Sequence, residues 1–148
     1  GVRIGPAPIQ DPLEIWLGGN GPKGLELTGT HGDGWLGSRA TPAQAEGFRA
    51  SIDAAAASVG RTIDPEHFGI SIPYSQRELD DRTVASVMAR ADAERPDILP
   101  IGPTEIVELL RRHIDAGLSK FVLRPMTLDA GWEAELDFLA EHALPLQT

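Results

Sequence analysis

The stretch IWLGGNGPKGLELTGTHGDGWLG, residues 15–37, decides the fold. Residues 14–18 form an apolar run bounded by Pro12 and glycines, too short for a helix, which reads as a buried strand. A helix follows at once over 22–30. Pro22 suits its first position, where the missing N–H costs nothing, Leu25 and Leu27 continue it, and Gly29 and Gly32 end it. Residues 34–36 make a second minimal strand. Between strand and helix stand Gly18, Gly19, Asn20 and Gly21, a composition suited to backbone that must come close to something bound.

Outward from this unit the same alternation continues. Thr41-Pro42-Ala43-Gln44 is a capping-box pattern opening a helix whose apolar stripe is Ala45, Phe48, Ile52, Ala55 and Val59, stopped by Gly60. FGISIP, residues 68–73, reads as a third strand, followed by a polar helix over 79–94 that Pro96 closes. Thr104 is the expected cap of the next helix, with Ile106, Val107, Leu110 and Ile114 facing inward and Gly117 ending it. KFVLR, residues 120–124, is the fourth strand, and a last helix over 130–142 carries Trp132, Leu136 and Leu139 on one side. The order β-α-β-α-β-α-α-β-α with short apolar strands predicts a single α/β unit with a parallel sheet over 1–148, with 1–12 as an extended lead-in and 143–148 as a tail.

Composition narrows the function classes. Thirteen basic against twenty-two acidic side chains give a formal charge of -9, a field that repels polyphosphate and argues against a nucleic-acid partner. The absence of cysteine excludes disulfides, thiolate metal sites and a cysteine nucleophile, and fits a cytoplasmic setting. No apolar run approaches the length of a membrane span. The opening GVRIGPAPIQDP reads as the middle of a longer polypeptide.

Asn20-Gly21-Pro22 stands where a parallel strand's C-terminal end meets a helix N-terminus, the place where α/β folds hold their ligands. Unpaired first-turn N–H groups, the helix dipole and the charge of Lys23 favour an anion there; a tight strand-to-helix turn explains the same residues without one. GGNGPK has the spacing of neither a dinucleotide fingerprint nor a P-loop. Asp33, between two glycines, reads as a turn and cap residue, and Trp16 and Trp35 read as core. His31, His67, His113 and His142 are scattered without ligand spacing, so no metal site is expected, and His113 is expected on the solvated side of its helix. The acidic pairs Asp80/Asp81 and Glu133/Glu135 diverge on their helices, and no nucleophile elbow is present.

Two ordered segments carry a resemblance. PLEIWLGGNGPKGLELTGTHGDGW, residues 12–35, and GPTEIVELLRRHIDAGLSKFVLRP, residues 102–125, resemble segments of the luciferase-like monooxygenase family, which comprises bacterial luciferase relatives and oxidoreductases dependent on coenzyme F420. With the Thr41 helix and the FGISIP strand between them, the resemblance spans nearly the whole chain. It implies the C-terminal half of a (β/α)8 TIM barrel, about four strands, and an oxidoreductase acting by hydride transfer or oxygenation through F420 or FMN. The positions matching the family's cofactor-phosphate loop are Asn20, Gly21, Lys23 and Gly24. Ser38 and Arg39 match a loop bordering substrate and phosphate, Arg39 being open to reading as a solvated charge. Arg124, at the ligand end of the last strand, is either a clamp for a carboxylate or phosphate or a member of a structural ion pair.

The resemblance brings no catalytic residue, because the family's acid and base residues lie in the first half of the barrel. A half-barrel leaves two sheet edges and an inner face uncovered, which implies a homo-oligomer or association with the missing N-terminal half, acting on a small-molecule substrate. A flavin-binding module without turnover, and a phosphate-handling barrel of another class, are the competing readings.

Overall fold

The computed structural model describes residues 5–6, 9–89 and 91–147. The lead-in expected over 1–12 lies partly outside them, as does the last residue of the tail. Four strands, β1 (Trp16–Leu17), β2 (Gly34–Ser38), β3 (Phe68–Tyr74) and β4 (Lys120–Pro125), form one parallel sheet in the order β1-β2-β3-β4. The helices are α1 (Pro22–His31), α2 (Pro42–Ser58), α3 (Asp81–Met88), α4 (Gly102–Asp115) and α5 (Gly131–His142). This is the expected α/β order, with β1 and β4 at the two edges.

Alternation along each strand sorts side chains onto two faces. Trp35, Phe68, Ile70, Ile72 and Tyr74 enter the core, where they meet Ala45, Ile52 and Ala56 of α2 and Ile106, Leu109 and Leu110 of α4. Leu36, Ser38, Ser71, Val122 and Arg124 lie on the opposite, concave face, and Leu36 and Val122 are 36% and 44% exposed there. Trp16 is not core. It pairs with Gly34, whose lack of a side chain leaves room for the indole on this face, 5.2 Å from the His67 ring.

The capping box of α2 forms as its residue pattern predicts: Gln44 N–H donates to Thr41 Oγ1 at 3.2 Å and Thr41 N–H to Gln44 Oε1 at 2.9 Å. The stripe ends one residue off expectation, with Ala56 buried and Val59 exposed. The polar helix expected over 79–94 is shorter. Asp80 caps it by accepting from Thr83 N–H at 3.0 Å, it buries no residue, and a 3-10 turn at Arg95–Asp97 follows. Within that turn Arg95 holds Glu105 through two bonds of 2.7 and 2.8 Å.

Two expectations for α4 are corrected. Its cap is not Thr104: the chain turns in at Gly102 with φ +79, a conformation glycine accommodates, and Glu105 accepts from Ile101 N–H at 2.7 Å. Its inward face is Ile106, Leu109, Leu110 and His113, a regular i, i+3, i+4, i+7 set, so His113 is fully buried and Ile114 is exposed. The face of α5 is also turned. Trp132 and Leu136 are 62% and 61% exposed while Glu135 is 4% exposed, because Tyr74 and Gln76 both bond its carboxylate.

Candidate functional site

The loop between β1 and α1 is held from below by β2. Trp35 Nε1 donates to Gly19 O at 3.1 Å and Asn20 Nδ2 donates to Ser38 O at 2.8 Å, so the ends of the first two strands are tied into one rim. Gly19 has φ +101, which favours glycine. Gly21 is different: its φ of -79 and ψ of 153 suit any residue, and an added Cβ meets nothing within 4 Å. Neither backbone nor packing calls for glycine there. A side chain at Gly21 would project into open space at the start of α1.

In the first turn of α1 the N-cap Gly21 offers no side chain, Pro22 has no N–H, Gly24 N–H donates to Gly21 O at 2.9 Å, no acidic residue is present, and Lys23 stands exposed. A Cβ on Gly24 would face the loop's own backbone at ordinary contact distance, 3.7 Å from Gly18 O. Asn20, Gly21, Lys23 and Gly24 are therefore brought together. Asn20 and Pro22 also edge a cleft of about 490 Å³ between α1 and α2, lined on the α2 side by Gln44, Gly47 and Phe48. A second groove, of about 920 Å³, reaches Glu66 and Lys120 at the opposite ends of the strands and is remote from this loop.

Ser38 joins the rim through its carbonyl, as the acceptor from Asn20. Arg39, next in the chain, is exposed and has φ +52; among the described residues it is the one non-glycine residue with positive φ. A left-handed backbone on a side-chain-bearing residue costs roughly 1 kcal/mol and is concentrated at ligand-binding rims. Arg124 lies two strands away, and its Nε donates to Ser71 Oγ at 2.8 Å. Ser71 escaped the sequence reading. Its signal was a hydroxyl at the centre of the otherwise apolar FGISIP strand.

Asp33 is structural, as its flanking glycines predict: it accepts from Ile15 N–H at 2.9 Å and pairs with Arg61 at 3.4 Å, at the end of β2 away from the loop. Among the described residues no group of three or more His, Asp or Glu side chains is placed to hold a metal, and no helix is long and apolar enough to cross a membrane.

Comparison with known proteins extends this geometry. The family model described as luciferase-like monooxygenase matches residues 1–123. Among solved structures, an F420-dependent secondary alcohol dehydrogenase in complex with an F420-acetone adduct is 18% identical with a TM-score of 0.70, covering 92% of this chain and 49% of that one. The coenzyme F420 dependent tetrahydromethanopterin reductase of Methanopyrus kandleri is 15% identical with a TM-score of 0.64, covering 93% and 52%. The FMN-bound oxygenating constituent of 3,6-diketocamphane monooxygenase from Pseudomonas putida is 14% identical with a TM-score of 0.64, covering 91% and 49%. No curated protein matches the sequence. The chain thus spans about half the length of these structures, its four parallel strands corresponding to half of a TIM barrel. On the match over residues 1–123 and the shared fold, the chain belongs to the luciferase-like monooxygenase family.

Proposed function

We propose that this chain supplies the cofactor-phosphate half of an oxidoreductase site that works through bound coenzyme F420 or FMN, by hydride transfer or oxygenation of a small-molecule substrate. The observation that carries the proposal is Gly21, a glycine that neither φ nor packing requires, at the N-cap of a helix whose first turn carries the positive end of the helix dipole and the charge of Lys23. Asn20 fixes the loop to β2, Gly21 leaves the space open, Gly24 lets the helix start lie against the loop backbone, and Lys23 adds charge to the phosphate. When bound, the cofactor supplies the redox chemistry; the chain binds, orients and shields it. The concave face and the open edges of β1 and β4 are covered in the working protein by a second half-barrel, of a second copy or of a longer chain.

The test is a fluorescence titration with FMN and F420 in parallel, using Gly21→Val as control. Saturable binding of one cofactor, abolished by the valine with the melting temperature unchanged, is expected. Equal binding by Gly21→Val overturns the reading. Reduction of the bound cofactor by added substrate then separates an enzyme from a module that only binds.

A further inference from the structure

The helix side of the sheet, opposite the concave face, carries a cleft whose two walls both belong to this chain. α1 and α2 touch at Gly29, where a Cβ would lie 2.4 Å from Ile52 O and 2.6 Å from Ala55 Cβ. Toward their N-termini they part, and the gap of about 490 Å³ is floored by Leu25 and Phe48. A half-barrel that extends the sheet beyond β1 lies on the flank of α1 away from α2, so it leaves this cleft open.

The α2 wall is a helical stripe of Gln44, Gly47, Phe48 and Ser51, spaced i, i+3, i+4 and i+7. Gly47 stands inside α2, where alanine is the better helix former, and a Cβ on it would meet nothing within 4 Å. Neither packing nor a turn requires glycine at this point, and its missing side chain keeps the wall low.

Hydrogen bonds already made sort the polar groups of the cleft. Asn20 Nδ2 donates to Ser38 O, Gln44 Oε1 accepts from Thr41 N–H, and Ser51 Oγ donates to Gly47 O. What remains is mostly acceptors, namely Asn20 Oδ1, the Ser51 lone pairs and the Glu26 carboxylate, against Gln44 Nε2 as a donor. Glu26 is the one charged side chain among the lining residues, and its carboxylate makes no ion pair among the described residues. Lys23, one turn earlier on α1, does not line the cleft. An unpaired carboxylate beside a hydrocarbon floor is complementary to a cation carried on an apolar body.

We propose that the cleft between α1 and α2 is a binding site for a small organic ammonium with an apolar body, Glu26 taking the charge and Leu25 and Phe48 the hydrocarbon. The site goes beyond the cofactor reading and does not rest on it, because its deciding residues, Glu26 and Gly47, lie outside the 20–24 loop.

The experiment is an NMR titration of the cofactor-free full chain with benzylammonium, benzyl alcohol and benzoate, following the backbone amides of Glu26, Gly47 and Ser51. No cofactor is present, so the outcome is independent of whether the loop binds one. Benzylammonium is expected to shift these signals saturably, with benzyl alcohol roughly three- to fivefold weaker, the scale of one exposed ion pair, and benzoate weaker still. Glu26→Gln is expected to bring benzylammonium down to the level of the alcohol while leaving the alcohol's affinity unchanged, a split that a merely structural role does not produce. Gly47→Leu places a side chain in the cleft from a position with free space around it, and is expected to abolish binding of both with the melting temperature at or above that of wild type. Gly47→Ala, too small to fill the cleft, is expected to keep binding. Absence of saturable shifts with benzylammonium, equal binding of benzoate, or undiminished affinity in Gly47→Leu overturns the site. Wild-type affinity for benzylammonium in Glu26→Gln overturns the role of Glu26.

Discussion

Tyr74 donates its hydroxyl to Glu135, sixty-one residues away in sequence, and so fastens α5 to the end of β3. Gln76 Nε2 donates to the other carboxylate oxygen at 2.8 Å, and Phe138 stacks near the Tyr74 ring with centroids 6.4 Å apart. Burial, then the Glu135 bond and charge, push the Tyr74 phenol well above its usual value. Glu135→Ala leaves the buried Tyr74 hydroxyl unpaired and is expected to destabilise the protein by about 2 kcal/mol in urea unfolding, with Glu135→Gln costing less. The raised phenol gives a second readout. Its stabilisation is fully present below the unfolded tyrosine value and is lost as pH rises through the folded one, so wild type should weaken in alkali while Tyr74→Phe loses this dependence.

His113 supplies a pH dependence of the opposite sign. Its ring is fully buried, and neither nitrogen has a hydrogen-bond partner among the described residues. Burial, reinforced by Arg112 and opposed by Asp97, pushes the imidazole down to about 4. The folded protein therefore holds it neutral, and the unfolded chain takes up the proton first. Stability should be full above the unfolded value of about 6.5 and fall by about 3 kcal/mol as pH drops toward 4, the scale set by the depressed pKa. His113→Leu should flatten the profile of urea midpoint against pH between these limits; an unchanged slope sinks the assignment.

The glycines of α1 and its N-cap divide into two kinds that one pair of variants separates. A Cβ on Gly29 would lie 2.4 Å from Ile52 O and 2.6 Å from Ala55 Cβ, where α1 packs on α2. Gly29→Ala is expected to cost about 1–3 kcal/mol through overpacking, with cofactor affinity reduced only as far as folding is. Gly21→Ala should leave thermal stability within about 0.5 kcal/mol of wild type. Its effect is expected on cofactor binding alone. Equal melting temperatures for the two variants would remove the distinction.

The concave face and both sheet edges predict self-association of the chain when it is alone. Leu36 and Val122 on that face, with Trp132 and Leu136 on α5, leave apolar surface uncovered. Light scattering at micromolar concentration should report a mass above 15.9 kDa. Adding charge with Val122→Glu should shift the population toward monomer, and a monomeric wild type would refute the expectation.

By itself the sequence determined what neighbours along the chain can settle. The β-loop-α unit at residues 15–37, the Thr41/Gln44 box and the alternating element order all rest on hydrogen bonds and periodicities within one or two turns. The place of Asn20, Gly21, Lys23 and Gly24 between β1 and α1 was legible for the same reason, since they form one short stretch. Tertiary structure alone decided the rest. Ser71 and Arg124 meet across 53 residues, Tyr74 and Glu135 across 61, and Arg95 and Glu105 across 10. His113 and Glu135 look like surface residues until segments distant in sequence remove the water from around them. Burial of a polar side chain depends on what packs over it, and that depends on the arrangement of the sheet and helices, which no local pattern carries.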